Sequence, residues 1–539
     1  MTPTTDADDG RSPIDRLRER IRRGDPWMLG LALLSGLLAA LIVSPMAWLL
    51  WRAGTVDPTR AYELMFSAQT GSITLNSIVL VIVVTVFSIV LGVPLAVLTT
   101  RTDLPYPRFW TIVSALPLVI PSYIGAVAFV STFGSGGEID TLFGVTLPRV
   151  HGLSGAAFII TLYTYPYVFL TTRAALISMD QSLVDAARTL NHGPVESFRE
   201  VTLPIIRPGI AAGALLAALY AISDFGTPAF MQASVFTSRI YGEFSGFAVE
   251  YAALLALQLV SIVAVILVIE AGIGRDEDTS GGGGDGVTIR LGGWKWPAMG
   301  FVSLIGITTL VVPVAVFVNW LFRSEGRRIP ALEFHPEFAF NSVYLSVLAA
   351  LVACLFALPV AYYSGRTNSL VARIFERATY IGFAVPGVVI GLALVFLGTR
   401  TAPSLYREGV WLLVFGYVVR FLPQAVGTVR SSVLQIDDDT IEAAKTLNAG
   451  RIETFRRVTL PMIAPGMVAG AALVFLTTMK ELPLTLMIQP IGMDTLVIKI
   501  WQANDALAYR YAAVPALLLI TISGLTMIVL LRQEGSDIG

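Results

Sequence analysis

In this 539-residue sequence, the first candidates for functional residues are ionisable side chains that lie within long apolar stretches. Asp224 stands about 20 residues beyond Pro204, on the order of 30 Å along a helix. Glu481 holds the matching place in a later stretch, and Lys480 precedes it. Charged groups so deep in a membrane usually face the interior of a helix bundle. Two interpretations stay open: an outer gate that receives substrate, or a structural cluster in which Lys480 neutralises a carboxylate. Arg420, isolated in another stretch, is expected to form a structural salt bridge.

The composition indicates a polytopic membrane protein. Apolar residues make up 55% of the chain and charged residues 14%, against roughly 25% charged in soluble domains. Each apolar run meets the roughly 20 residues that a membrane-spanning helix needs. We predict an all-α fold with twelve spans and a retained first span, near residues 27–51, 75–99, 109–132, 152–172, 203–231, 251–272, 297–321, 341–363, 378–398, 409–429, 460–488 and 511–531.

Lysine and arginine placement predicts the orientation. With a cytoplasmic N-terminus, the inner segments carry 24 of these residues, counting Arg207 at the inner edge of its span, and the outer loops carry 11. The positive-inside rule therefore places both termini in the cytoplasm, in the plasma membrane of a prokaryote. The net charge of −1 and the absence of a long basic tract give no indication of a nucleic-acid partner.

A charged, glycine-rich segment at 273–296 interrupts the apolar pattern, and we interpret it as a cytoplasmic linker. It separates a first half, 1–272, from a second half, 297–539, with six spans each. Residues 185–209 and 442–466 match at a constant offset of 257, with 16 of 25 positions identical. Weaker matches continue upstream at an offset of 265. Both copies lie on the same side of the membrane, so the sequence predicts a parallel repeat of six helices.

The repeated segment predicts solvated helices on the cytoplasmic side. Asp180 or Ser182 in the first copy, and Asp438 or Asp439 in the second, can cap a short helix. Gly193 or Gly450 is expected to end it in a left-handed conformation. A second short helix is predicted at 195–201 and at 452–458, before the next span. A bare connector needs only about 2–8 residues, so a segment of this length indicates a docking function.

The motif resembles the cytoplasmic signature of permease subunits of ABC-type importers with the type I fold. That resemblance covers cores near 72–271 and 337–531. It implies coupling helices that dock onto a separate ATPase dimer, and an external substrate-binding protein that delivers the substrate. The positions that match the signature in the two copies are Asp185, Ala186, Ala187 and Gly193, and Glu442, Ala443, Ala444 and Gly450.

The strings 223–228, 479–484 and 489–496, in a fused double permease, resemble those of iron(III) importer permeases. Permeases for thiamine, sulfate, polyamines or phosphonate share this layout and remain alternatives. A twelve-span secondary transporter is an alternative of a different class, but its best-matched repeat would lie within the spans.

The sequence carries no feature of an enzyme. It contains no phosphate-binding loop, so ATP hydrolysis is expected on another chain. Its three histidines are widely spaced and Cys354 is its single cysteine, so we expect no metal site and no cofactor. Prolines 117, 121, 166, 386 and 423 lie within predicted spans and are interpreted as helix kinks.

Overall fold

The computed structural model describes residues 26–134, 136–180, 182–183, 189, 193–273, 289–322, 329–367, 369–401, 403–437, 439–440, 442 and 450–536. Within these ranges every regular element is helical, apart from one bridge between Thr102 and Ile289. The predicted all-α fold is confirmed. 

The α-helices of the first half are α1 Pro26–Gly54, α2 Pro58–Met65, α3 Ala68–Arg101, α4 Pro107–Ala115, α5 Ser122–Thr132, α6 Glu138–Phe143, α7 Gly152–Ser178, α8 Pro194–Ser197, α9 Leu203–Ser223, α10 Gly226–Phe230, α11 Phe236–Ser245 and α12 Val249–Ile273. Those of the second half are α13 Lys295–Gly306, α14 Val312–Phe322, α15 Pro336–Arg366, α16 Leu370–Ala384, α17 Gly387–Thr401, α18 Pro403–Glu408, α19 Val410–Leu434, α20 Arg451–Thr454, α21 Leu460–Met479, α22 Pro483–Ile488, α23 Leu496–Asp505 and α24 Ala513–Ser536. Short 3₁₀ turns occupy Leu116–Val119, Gly292–Trp294, Pro330–Leu332 and Tyr509–Ala512.

Ten helices in the described ranges are long and apolar enough to cross a membrane, and twelve spans result if two bent pairs count as one each. The predicted spans 109–132 and 378–398 are these pairs, and the prediction of one merely kinked helix at each is wrong. They bend by 90° before Ser122 and by 104° before Gly387. Pro121 lacks an N–H and drives Ile120 into an extended conformation (ψ 124°), so the first helix cannot continue.

A wide π-helical turn precedes α9 and α21 at equivalent places, Phe198–Thr202 and Phe455–Thr459. The N–H of the following leucine bonds to the carbonyl five residues back in both. The proline after that leucine has no N–H with which to close a normal turn, which accounts for the wider one. The second short helix predicted at 195–201 and 452–458 is present, but each is continuous with the span that follows, because it runs through its π turn into that span.

Glycines let neighbouring helices approach closely in both repeats. Gly209 and Gly213 on α9 face α7, and Gly466 and Gly470 on α21 face α19. A methyl group on Gly213 would lie 2.6 Å from the Cα of Val168. The same small-residue spacing lets backbones touch in many membrane helix pairs.

The described residues divide into two compact units that cut across the predicted halves. The predicted domain boundaries at 273–296 stay a prediction. One unit combines the N-terminal part of α1 with Ala350–Gly382 and Phe421–Val474. Within it, the ring of Trp27 lies 6.1 Å from that of Phe455, and Gly36 faces Phe375. The first span of the chain thus packs against the second half.

In the other unit, the first helices of the second half, α13 and α14, pack against residues of the first half. Tyr163 on α7 donates to the carbonyl of Thr309 at 3.2 Å, in the π turn Ile307–Val311 between α13 and α14. Glu138 accepts hydrogen bonds from Asn319 and Trp320 on α14, both at 2.7 Å. The additional span of each half therefore contacts the other half.

A surface contact holds the start of α13 next to the end of α3. The backbone N–H of Leu291 and the ammonium of Lys295 both bond to Asp103 at 2.8 Å. These two partners lower the pKa of the Asp103 carboxyl, the Leu291 N–H first.

Candidate functional site

Asp224 stands where the long helix of the first repeat ends. It follows α9 in an extended conformation (ψ 123°), and its own N–H still bonds to Tyr220 at 2.8 Å. Ser122, the first residue of α5 after the bend, donates to the Asp224 carboxylate at 2.7 Å. The N–H of Thr227 lies 3.4 Å from the other carboxylate oxygen. The carboxylate is thus held by neutral donors at a helix break, not inside a continuous helix as the sequence suggested.

Glu481 holds the equivalent place after α21 but has a different partner. Its carboxylate lies 3.3 Å from Nε of Arg420 on α19, and it accepts a bond from the N–H of Leu484 at 3.3 Å. Glu481 is 5% exposed. The structural salt bridge expected for Arg420 is therefore confirmed, with Glu481 as its partner.

Lys480 does not neutralise a carboxylate in the part of the chain that the structure describes, so that interpretation is wrong. Its ammonium donates to the carbonyl of Leu118 at 3.0 Å, in the 3₁₀ turn before the bend. Tyr123, just beyond the bend, points its hydroxyl at the carbonyl of Lys480 at 3.4 Å. Adjacent residues at a helix break project in different directions, so Lys480 and Glu481 meet different neighbours. The two bonds fasten the bend of the first repeat to the break of the second.

Lys480→Met should lower the free energy of unfolding by about 1.5–3 kcal/mol, the usual contribution of a hydrogen bond to a charged group. Methionine keeps the length of the side chain but leaves the Leu118 carbonyl without its donor. Thermal melting of the purified protein measures the loss. Lys295→Met is the control, because its pair with Asp103 lies at the surface and should contribute little. Equal shifts in the two variants would contradict the interpretation.

An aromatic cluster packs directly beside Asp224. The ring of Trp501 on α23 lies 5.4 Å from Phe225, 5.2 Å from Phe230 and 5.6 Å from Tyr241. Such ring contacts add to the apolar burial of large side chains. The cluster joins elements of both repeats next to Asp224 in the chain.

The coupling residues are only partly within the described ranges. Asp185, Ala186, Ala187, Ala443 and Ala444 lie outside them. Gly193, Glu442 and Gly450 are described, and Glu442 is exposed.

Gly450 begins the next helix with φ −64° and ψ 159°, so the left-handed conformation predicted for it is wrong. Gly193 is not among the glycines with positive φ either. A methyl group on either glycine would meet nothing within 4 Å. An open cavity of about 1120 Å³ adjoins the second copy and is lined by Trp27, Gly450, Arg451, Ile452, Glu453, Arg456 and Arg457.

The oxygen ligands of the remaining loops do not converge. Among the described residues, no three His, Cys, Asp or Glu side chains form a group that could hold a metal ion. Glu138 is buried against α14, whereas the Asp140 carboxylate accepts bonds from Gly136 and Thr146. Asp494 pairs with Lys499 at 2.7 Å.

Sequence reasoning missed the partners of the three pathway candidates. Ser122 and Gly387 are equivalent at the offset of 265, and Tyr163 and Arg420 at the offset of 257. The two repeats carry different residue types at each of these two pairs of positions. That difference is the signal in the sequence that could have pointed to Ser122 as a partner of Asp224 and to Arg420 as the partner of Glu481.

Comparison with known proteins places these features in a family. The family model for the binding-protein-dependent transport system inner membrane component matches residues 88–274 and again 357–534. The Fe(3+)-transport system permease protein FbpB 2 of Haemophilus influenzae is 32% identical over 520 residues, which cover 94% of this chain and 98% of that protein.

Two further relatives match across most of the chain. The ferric transport system permease protein FbpB of Actinobacillus pleuropneumoniae is 24% identical, over 85% of this chain and 71% of that protein. The probable ABC transporter permease protein y4fN of Sinorhizobium fredii is 25% identical, over 95% of each. The two matches of the family model coincide with the two repeats of a multi-pass membrane protein. This chain therefore belongs to the family of inner membrane components of binding-protein-dependent transport systems.

Proposed function

We propose that the chain is the membrane-spanning permease of an ATP-driven importer of iron(III). The observation that carries the proposal is the 32% identity to an Fe(3+)-transport permease over nearly the full length of both proteins. The two repeats of one polypeptide then supply both halves of the pathway. Thiamine, sulfate, polyamines and phosphonate remain the alternative substrates.

The energy for transport comes, in this proposal, from a separate ATPase dimer on the cytoplasmic side. Its two docking points are the segments 185–193 and 442–450, and both termini of the chain face the cytoplasm. The exposed position of Glu442 supports a role in docking. An external binding protein delivers the substrate to the opposite side.

Asp224, Lys480 and Glu481 form part of the pathway wall in this proposal. Their support is their place at two equivalent helix breaks, where α9 and α21 end. A pathway must let its cargo leave, so the chain needs only a weak, transient contact for a cation and no high-affinity metal site.

Uptake of radioactive ferric iron tests the substrate. Proteoliposomes that contain the permease, its ATPase and its binding protein should transport iron only when ATP is supplied on the side of the membrane where the ATPase is bound. Radioactive thiamine, sulfate, a polyamine and phosphonate serve as competing substrates in the same preparation. Uptake of one of these in place of iron would overturn the assignment to iron(III). Uptake driven by an ion gradient without ATP would instead favour the secondary transporter.

The docking proposal predicts that the purified chain alone hydrolyses no ATP. Asp185→Lys combined with Glu442→Lys should abolish co-purification with the ATPase and ATP-driven uptake, because the charge at both docking points is reversed. Each single variant should retain part of the co-purification and part of the uptake. The control is Glu337→Lys, an exposed position at the start of α15, which should change neither.

Gly193 and Gly450 need no left-handed backbone, so substitutions there should not strain the chain itself. ATP hydrolysis by the chain alone, or unchanged co-purification of the double variant, would contradict the proposal.

A further inference from the structure

The two repeats have diverged around their equivalent carboxylates, Asp224 and Glu481. Asp224 receives bonds to its side chain from Ser122 and Thr227, which are neutral donors. Glu481 forms an ion pair with Arg420, whose side chain is 16% exposed. Neither donor carries a charge, so neither of these bonds matches the charge of the Asp224 carboxylate. Among the described residues no lysine or arginine forms an ion pair with it.

Glycine at position 387 makes the ion pair possible. It replaces the serine found at position 122 of the first repeat, at the same place after the bend. A methyl group on Gly387 would overlap both Nη1 of Arg420 and Oε1 of Glu481. A serine there would therefore displace the guanidinium.

The first repeat has a tyrosine, Tyr163, where the second has Arg420. Tyr163 does not turn towards Asp224. Its hydroxyl donates to the carbonyl of Thr309 and its ring lies against Gly125. The first repeat therefore has no arginine at the position from which Arg420 pairs with Glu481 in the second.

Separating a buried ion pair costs free energy, because each charge would be left without a partner. Removing one partner leaves the other charge buried and uncompensated, whereas replacing both with neutral groups is often tolerated. Glu481 is 5% exposed, and its charge is already matched by Arg420. Asp224 is half-buried and is therefore the more accessible of the two residues.

We propose that Asp224 is the one carboxylate of this pair that contacts the cationic cargo, and that Gly387 and Arg420 are positioning residues that fix Glu481 in the wall. The inference rests on the proposed function, because it assigns the cargo contact within that pathway. A one-sided contact suits a cation that must pass without being trapped between two carboxylates.

Charge neutralisation in four variants tests the inference in the reconstituted complex. Uptake per folded molecule and the melting temperature are measured for Asp224→Asn, Glu481→Gln, Arg420→Met and the double variant Arg420→Met/Glu481→Gln. Glutamine keeps an acceptor for the N–H of Leu484. We expect Asp224→Asn to lose at least about tenfold in uptake with little change in melting temperature. Asp224→Glu, which keeps the charge, should recover much of the uptake.

The variants of the ion pair should behave differently. Glu481→Gln and Arg420→Met should each lower the melting temperature and the yield of folded protein. The double variant should recover the melting temperature and most of the uptake per folded molecule. Gly387→Ser should resemble Arg420→Met. Glu376→Gln is the matched control, because it breaks the 3.2 Å pair with Arg430 outside this site and should leave uptake per folded molecule unchanged.

A double variant that is stable but inactive would overturn the inference, since Glu481 would then be needed as a charge. Full uptake by Asp224→Asn would overturn it as well. Failure of the proposed function is distinguishable, because the wild-type complex would then import no iron at all. In that case the same variants would be measured with the cargo that the wild type does carry. The role of Arg420 would be refuted if the melting temperature of the double variant Arg420→Met/Glu481→Gln stayed as low as that of the single variants.

Discussion

Gly213→Leu or Gly470→Leu is expected to remove most of the folded protein, with a cost of more than about 3 kcal/mol each. A methyl group on Gly213 would lie 2.9 Å from the carbonyl oxygen of Tyr167, and one on Gly470 would lie 3.0 Å from the Cα of Ala425. These neighbours are backbone atoms, which cannot turn aside as a side chain can. The helices α7 and α9, or α19 and α21, would have to separate. Fluorescence-detected size-exclusion chromatography and thermal melting measure the loss.

Gly524→Leu on α24 is the matched control, because a methyl group on Gly524 would meet nothing within 4 Å. It introduces the same side chain into a membrane helix and should leave the melting temperature nearly unchanged. Equal behaviour of Gly524→Leu and Gly213→Leu would show that close helix approach is not what the glycine provides.

Glu138→Leu is expected to cost about 3 kcal/mol or more, since two hydrogen bonds to a charged group are lost together. Glu138 is 7% exposed, and its two oxygens accept from Asn319 and Trp320 at 2.7 Å each. Leucine would leave both donors buried beside an apolar side chain. The contact between α6 and α14 should loosen, which tryptophan fluorescence and thermal melting would detect.

Two variants calibrate this loss. Glu138→Gln keeps an acceptor for Trp320 but not the charge, and should cost about half as much. Asp140→Asn, in the same short helix, alters a carboxylate whose partners are Gly136 and Thr146 and should cost little. A loss for Asp140→Asn as large as that for Glu138→Leu would mean that the helix itself, and not its bond to α14, is the sensitive feature.

The helical architecture was predictable from the sequence because hydropathy reports span length directly. The approximate positions of the spans follow from run lengths, and the equivalence of Asp224 and Glu481 follows from the offset of 257. The breaks at Ser122 and Gly387 were not predicted. A proline within an apolar run is compatible with both a kinked helix and a broken one, and the choice depends on neighbouring helices.

The partners of the charged residues were less predictable because they come from distant parts of the chain. Arg420 was expected to form a salt bridge, but nothing in its own run identifies Glu481 as the partner. One of the two interpretations had Lys480 neutralise a carboxylate, whereas its ammonium donates to the carbonyl of Leu118. A comparison of the two repeats position by position would have pointed to Gly387, since a glycine opposite Ser122 marks a space that something else fills.

The contact of α1 with the second half has a consequence for how the protein is made. Trp27 and Gly36 are synthesised first, yet their neighbours Phe455 and Phe375 emerge more than 300 residues later. At about 5–20 residues per second, the ribosome takes on the order of 20–90 s to supply them. During that time the N-terminal part of α1 stays in the lipid without its final neighbours. Biogenesis of this permease is therefore completed only after translation of the second repeat, and a polypeptide truncated after the first would leave the N-terminal part of α1 without the residues it packs against.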